Sequence, residues 1–457
     1  MSLRRAIENM KPGDNRWVWG VGHSLHLMRF IKQSCLHGHR DALAGKSVML
    51  LTPDQFSAAA ALIELDGLAS RILVCPPDVK GDHLPAIAAQ AAIDTVVTAG
   101  DAPATVSLGI SQNIVCSFPP APSDASRAAE IETQWLLLTS GTTGVPKIVR
   151  HSFRSLTGAI RPIANVDAPV WSTFYDIRRY GGLQIFLRAI VGGGSIVLSD
   201  ANEPVADFLE RLSNHGVTHI SGTPSHWRRA LMSPKADIFN PFYVRLSGEI
   251  ADQAILDCLR TAFPRAAIAH AYASTEAGVG FEVNDGFEGF PAAMIGMTDR
   301  GVEIKIINDT LRIRSALTAA NYVGETMATL KDQDGFVDTG DIVERRAERY
   351  YFVGRRGGII NVGGLKVHPE EIETVINRHR SVRMSLVKSR KNPITGSIIV
   401  ADVVLSDNDA AADQQQLRSE ILAECREVLS PYKVPALVRF VPSLDITESG
   451  KLVRTNA

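Results

Sequence analysis

Residues 139–147 read Thr-Ser-Gly-Thr-Thr-Gly-Val-Pro-Lys. Hydroxyls and unobstructed backbone N–H groups donate to anionic oxygens, the glycines put no Cβ in the way, and Lys147 adds a positive charge. That is the composition of a loop that grips a polyphosphate. It is not a Walker A loop, which needs Gly-Lys-Ser/Thr, because Pro146 precedes the lysine and Ile148 follows it. A hydroxyl-rich hairpin that merely joins two strands has a similar composition, so on their own these residues leave both readings open.

Four further stretches carry groups suited to nucleotide chemistry. Tyr272-Ala273-Ser274-Thr275-Glu276 combines an aromatic face, hydroxyls and a carboxylate; a hard cation takes carboxylate oxygen and keeps most of its waters and phosphate ligands. Residues 334–341, Asp-Gly-Phe-Val-Asp-Thr-Gly-Asp, end on Asp341, whose carboxylate can accept two hydrogen bonds. The alternative, an acidic turn between strands, suits Asp334-Gly335 better than Asp341. Residues 351–367 are glycine-rich and basic, the composition of a hinge followed by a mobile loop. Residues 446–454, Ile-Thr-Glu-Ser-Gly-Lys-Leu-Val-Arg, put Lys451 on a hairpin near the C-terminus, where a lysine is ordinarily just solvated.

In this order, over residues 136–454, the five motifs resemble those of the ANL superfamily of adenylate-forming enzymes: AMP-forming acyl-CoA synthetases, peptide-synthetase adenylation domains and luciferases. The resemblance implies that Thr139, Ser140, Gly141, Thr142, Thr143, Gly144 and Lys147 hold the leaving pyrophosphate. It implies that Tyr272 packs on adenine, that the Thr275 hydroxyl contacts phosphate and that Glu276 holds Mg²⁺. Asp341 would accept from the ribose hydroxyls, Arg355 would contact the ribose, and Lys451 would enter the active site as the catalytic lysine. Gly248 and Glu249 fall on the nucleotide side by family position, and Tyr175, Tyr180, Gly182, Gly222, Thr223, Ala273 and Gly278 on the acyl pocket. Asp176 has two readings, N-cap of the helix behind it or charge partner of a polar or amino group on the substrate. Three positions depart from the family pattern: Ile148 and Ala273, where glycine is usual, and Gly357, where the pivot between domains usually carries aspartate or lysine.

The expected reaction activates a small-molecule carboxylic acid with ATP to an acyl-adenylate, releasing pyrophosphate, and passes the acyl group to coenzyme A. A short N-terminal region and several aromatics favour a small or aromatic acid over a long chain. Two alternatives stand beside it: loading of an amino or aryl acid onto the phosphopantetheine of a carrier protein, and a non-catalytic adenylate-binding protein. Support for the second is confined to the departures at 148, 273 and 357.

Strand, small-residue turn and helix must alternate to present such loops together, and the sequence repeats that unit. Strands are expected at 46–53, 70–76, 95–98, 136–138, 195–198, 217–224, 243–249 and 266–272, with helices at 54–65, 183–191, 202–216 and 251–263. This is the signature of doubly wound α/β sheets, whose ligands sit at the carboxyl ends of strands. Residues 1 to about 130 look like an α/β layer without an assignable motif. A large N-terminal α/β domain, 1–355, is expected to precede a small mobile α+β domain, 356–457, with helices near 370–379 and 414–429.

At 457 residues the chain exceeds a single core. A net charge of -1 gives no global field for nucleic acid or an anionic membrane. The five cysteines are scattered singly, as suits a reducing cytosol, and no stretch reaches about 18 consecutive apolar residues. A cytoplasmic protein is therefore expected, of undetermined oligomeric state. His23, His26, His37 and His39 fall close together but lack the carboxylates or cysteines of a metal site.

Overall fold

The computed structural model describes residues 2–11, 13–100, 108–110, 112–123, 130–139, 145–161, 168–298, 301–324, 329–362, 365–392, 396–406, 413–445 and 451–453. The triple-leucine run forms the strand Gln134–Thr139, which pairs in parallel with Arg71–Val74 and antiparallel with Lys147–Ser152. Both of its faces are covered, which is why it reads as an unbroken apolar run. It belongs to a seven-stranded sheet ordered Asn321–Val323, Lys147–Ser152, Gln134–Thr139, Arg71–Val74, Ser47–Leu51, Thr95–Ala99, Gln112–Cys116.

A second, eight-stranded sheet runs Gly278–Val283, Ala267–Ser274, Tyr243–Ser247, His219–Gly222, Val170–Thr173, Ser195–Leu198, Trp17–Trp19, Ser24–His26. Its six middle strands are parallel, and helices Tyr180–Gly192, Val205–Asn214, Pro224–Leu231 and Gln253–Ala262 connect them. The alanine-rich helix Gln55–Leu65, capped by Asp54 accepting from the Ser57 N–H at 2.7 Å, is buried on every side. Its short side chains let it share one core with residues of both sheets and with the helix Tyr180–Gly192.

The α/β layer expected of residues 1 to about 130 is divided between two sheets. Trp17–Trp19 crosses to the second sheet and pairs with Ser195–Leu198, while the strands from Ser47 onward build the first. The buried Arg16 fixes that crossing: its Nε donates to Gly194 O at 2.9 Å and its Nη2 to Ala189 O and Ile190 O at 2.7 and 2.6 Å. It thereby satisfies the last carbonyls of the helix Tyr180–Gly192.

A third sheet, six-stranded and antiparallel, was not foreseen. Its order is Phe290–Pro291, Arg349–Arg355, Val337–Arg346, Thr310–Arg314, Glu303–Ile307, Gly296–Met297. Beyond it the strands Val382–Asn392, Gly396–Leu405 and Leu437–Phe440 carry the helices Pro369–Ile376 and Gln414–Val428. Their core draws only on residues from Ile360 onward. No helix among the described residues is long and apolar enough to cross a membrane.

Candidate active site

Thr139 and Lys147 face each other across the antiparallel pair, at the foot of the predicted phosphate loop. Ser140, Gly141, Thr142, Thr143 and Gly144 lie outside the described residues. Lys147 Nζ stands 5.1 Å from the Tyr322 ring centroid. Ile148 is a fully buried sheet residue between Leu138 and Val323, so the departure from glycine belongs to the core and not to the loop.

Thr275 and Glu276 follow the strand Ala267–Ser274. His151, on the other arm of the loop hairpin, reaches across to the Thr275 carbonyl through Nε2 at 2.7 Å. Since a carbonyl only accepts, Nε2 carries the proton and Nδ1 accepts from Ser155 Oγ at 2.9 Å. Burial pushes the imidazole down to about 4, so it is neutral. No sequence argument singled out His151; its place four residues past Lys147, on a strand, was the available signal.

Burial also raises the Glu276 carboxyl, against the opposing charges of Arg355, Lys147 and Lys451. Among the described residues its carboxylate forms no ion pair. A single carboxylate without an ion pair, engaged by a backbone N–H, fits a cation that takes its other ligands from water and phosphate, and the surrounding positive charges fit the phosphates themselves.

Asp341 is buried on the strand Val337–Arg346, opposite Arg355 in register. Its Oδ1 accepts from Arg355 Nε at 2.8 Å and its Oδ2 from the Tyr272 hydroxyl at 2.5 Å. Each carboxylate oxygen keeps a second lone pair for a further donor. Tyr272 stacks on Phe281 and Phe352, both at 5.6 Å between centroids. Gly248 (φ +86°) leaves room where a Cβ would lie 3.6 Å from Thr223 Cγ2, 3.7 Å from Lys451 Cε and 3.9 Å from the Tyr175 hydroxyl.

Lys451 comes from the far end of the chain into this cluster; Ser449 and Gly450 lie outside the described residues. The Val453 N–H donates to Asp445 O at 3.0 Å, tying residue 453 back to residue 445. Leu452 N–H donates to Glu249 Oε1 at 3.1 Å, while Glu249 Oε2 accepts from Ser225 N–H at 2.9 Å. Glu249, read as nucleotide-binding, thus also fastens the segment that carries Lys451. Burial, and next the Arg355 charge, lower the ammonium pKa, with Glu249 and Asp341 opposing.

Next to Ser247 and Gly248 lies a small cavity, partly open to solvent, whose lining includes Tyr175, Tyr180 and Ala273. Gly182, Gly222 and Gly278 do not line it. Each is a packing glycine: a Cβ would come within 2.2 Å of Asp176 O, 2.7 Å of Phe174 Cδ2 and 2.3 Å of Leu317 O, respectively. The lining residues are their neighbours Gly181, Ser221 and Val279, with Arg245.

Asp176 fits neither of its readings. The helix cap is Arg179, and both Asp176 oxygens hold Arg178, at 2.9 Å from Nε and 2.6 Å from Nη2. Gly357 lies in the 3-10 turn Arg356–Gly358, with nothing within 4 Å of where its Cβ would be. Gly363 and Gly364 are outside the described residues. Of the clustered histidines, His26 caps a short helix and His23 stacks on Phe56 and Phe118.

The AMP-binding enzyme profile matches residues 44–325, and that of the AMP-binding enzyme C-terminal domain matches residues 371–451. A 2-succinylbenzoate–CoA ligase of Staphylococcus aureus is 26% identical over 333 residues, 70% of this chain and 65% of the ligase. This chain therefore spans a little under two thirds of that relative's length. Among solved structures, the anthranilate CoA ligase AuaEII in complex with anthranoyl-AMP superposes with a TM-score of 0.81 at 17% identity, over 99% of this chain and 95% of that one. A benzoate CoA ligase from Burkholderia xenovorans LB400 superposes with a TM-score of 0.80 at 18% identity, over 99% and 98%.

Proposed function

The chain belongs to the AMP-binding enzyme family, the ANL superfamily of adenylate-forming enzymes, and on that premise we propose that it is an AMP-forming acid–thiol ligase. It activates a small carboxylic acid with ATP and transfers the acyl group to coenzyme A. The observation that carries this is the meeting of Lys451, Gly248, Glu249, Asp341 and Arg355 at one cleft, from motifs up to 203 residues apart. The names of the relatives, CoA ligases for succinylbenzoate, anthranilate and benzoate, support a small or aromatic acid.

In the first step a carboxylate oxygen of the acid attacks the α-phosphorus of ATP. The bond to the bridging oxygen breaks and pyrophosphate leaves. Both reactants are anions, so positioning and charge neutralisation supply most of the acceleration. Lys451 stands between acyl carboxylate and α-phosphate; Lys147, the loop 139–144 and the Thr275 hydroxyl hold the departing group. Mg²⁺, held by Glu276, would supply further neutralisation of the phosphate charge. Asp341 accepts from the ribose hydroxyls on its remaining lone pairs, with Arg355 beside it and Tyr272 against the base.

In the second step the thiol sulfur of coenzyme A, having given up its proton, attacks the acyl carbonyl, the mixed-anhydride C–O bond breaks and AMP leaves. For this the domain of residues 356–457 turns about Gly357 relative to residues 1–355, withdrawing Lys451. With Asp176 neutralised by Arg178, no residue argues for an amino-acid substrate or for a carrier protein over coenzyme A. Ile148 in the core and Ala273 on the cavity wall likewise remove support from a non-catalytic reading.

Lys451→Ala tests the division of labour. Acid-dependent ATP–pyrophosphate exchange should fall by about 100-fold or more, while thioester formation from synthetic acyl-adenylate persists. Exchange near the wild-type rate would refute the role of Lys451.

A further inference from the structure

Arg245 is a charged residue on the middle strand Tyr243–Ser247 of the parallel sheet, flanked in register by Ser221 and Ala269. It is only 5% exposed. Such a position is ordinarily apolar, because parallel strands are covered on both faces. Here the side chain borders the cavity next to Gly248. Among the described residues neither its Nε nor its Nη2 has a hydrogen-bond partner. Glu282 Oε2 lies 3.3 Å from Nε, an ion-pair distance without hydrogen-bond geometry, and Glu282 also engages Tyr243.

The cavity gathers more unmet polar atoms. Ser221 Oγ and Gln184 Oε1 are buried, border the same space and lack partners among the described residues. The Arg245 N–H groups and the Ser221 hydroxyl are donors, and a buried donor left unpaired costs stability, so their meeting in one cavity points to an acceptor that completes them; Gln184 Oε1, itself an acceptor, is not part of that set. Arg245 and Arg188 act on Tyr180 and Tyr243 here, on the latter together with the carboxylate of Glu282, and Arg245 acts on Tyr175 together with that of Glu249.

Ser247, which also borders the cavity, precedes Gly248, where the Lys451 side chain lies. An acid with its reacting carboxylate at Lys451 extends its other end past Tyr175 and Ala273 toward Arg245. We propose that the acid activated here carries a second anionic group, a carboxylate, at the end away from the one that is adenylated, and that Arg245 and Ser221 receive it. Arginine presents parallel N–H donors that match a carboxylate, which gives orientation as well as charge compensation. The inference rests on the acid-activating reading above and specifies its substrate class.

The test is acid-dependent ATP–pyrophosphate exchange with matched pairs on one carbon skeleton: succinate against butyrate, terephthalate against 4-methylbenzoate, isophthalate against 3-methylbenzoate. The wild type should favour the diacid of at least one pair by 10-fold or more in kcat/KM. Arg245→Met should abolish that preference chiefly through KM, Arg245→Lys should retain part of it, and Ser221→Ala should weaken it. Butyrate or the methylbenzoates used as well as or better than every diacid would overturn the inference while leaving the acid-activating reading intact. So would a preference that survives in Arg245→Met. If Arg245→Met does not fold, the wild-type comparison and Ser221→Ala decide alone. No exchange with any of the six acids would overturn the inference together with the reading it rests on.

Discussion

Asp341, proposed to receive the ribose, has both its oxygens already engaged, by Arg355 and by Tyr272. Asp341→Asn keeps the shape but replaces a charged acceptor by an amide. The KM for ATP should rise by about 10-fold, the loss of roughly 1.5 kcal/mol of charge-assisted bonding; initial-rate kinetics at saturating acid check this. His151 offers a pH signature. Its pKa is lowered from the usual 6.5 to about 4, so its contribution to stability is present above pH 6.5 and is lost as pH falls toward 4. The stability advantage of wild type over His151→Gln should shrink by about 2 kcal/mol between pH 7 and pH 5, as read from urea unfolding. Because the comparison is with a variant, the opposite trend of Asp66, raised by burial to about 7, cancels.

At the scale of elements, Arg16 joins the first strand of the eight-stranded sheet to the end of a helix more than 170 residues away. Arg16→Met removes one buried partner of three carbonyls, and it should cost about 3 kcal/mol in a denaturant midpoint experiment. That long-range tie was invisible in the sequence, whereas the helix it caps was legible from its apolar run and the glycines behind it. The buried strands around Leu137, Leu73 and Val48 were legible for the same local reason. The six-stranded sheet is not legible from the motifs at 334–341 and 351–367, which lie on its strands and turns without revealing how those strands pair. At the cavity proposed to take the acid, Gly182, Gly222 and Gly278 stand one residue away from the lining. Glycine marks where backbones approach closely, and the side chains that face the cavity are beside it.

For the whole molecule, the site joins the middle of the chain to a segment about 200 residues further on. Glu249 fastens the segment carrying Lys451 through the Leu452 N–H, and Arg378 and Asn377 add contacts to Glu288 and Asp252. The last two are exposed or long and hold little. Glu249 is therefore the fastening to weaken. Glu249→Gln has one acceptor oxygen for two N–H groups; it should slow acid-dependent pyrophosphate exchange by about 10-fold, a loss of roughly 1.4 kcal/mol, and leave thioester formation from synthetic acyl-adenylate unchanged. The motifs were legible in sequence and their meeting at one cleft was expected from the resemblance, but the contacts that hold Lys451 there were not, because they depend on how residues 356–457 pack against the rest.

In the proposed reaction one cleft couples acid activation to thioester formation. This coupling is tested most directly by incubating the wild-type protein with ATP, Mg²⁺, coenzyme A and the acid selected by the exchange assay, and quantifying AMP, pyrophosphate and thioester together. Equal amounts of all three, each dependent on the acid, are predicted. ATP that binds but yields no pyrophosphate with any acid, or pyrophosphate and AMP without acyl-CoA, would contradict it.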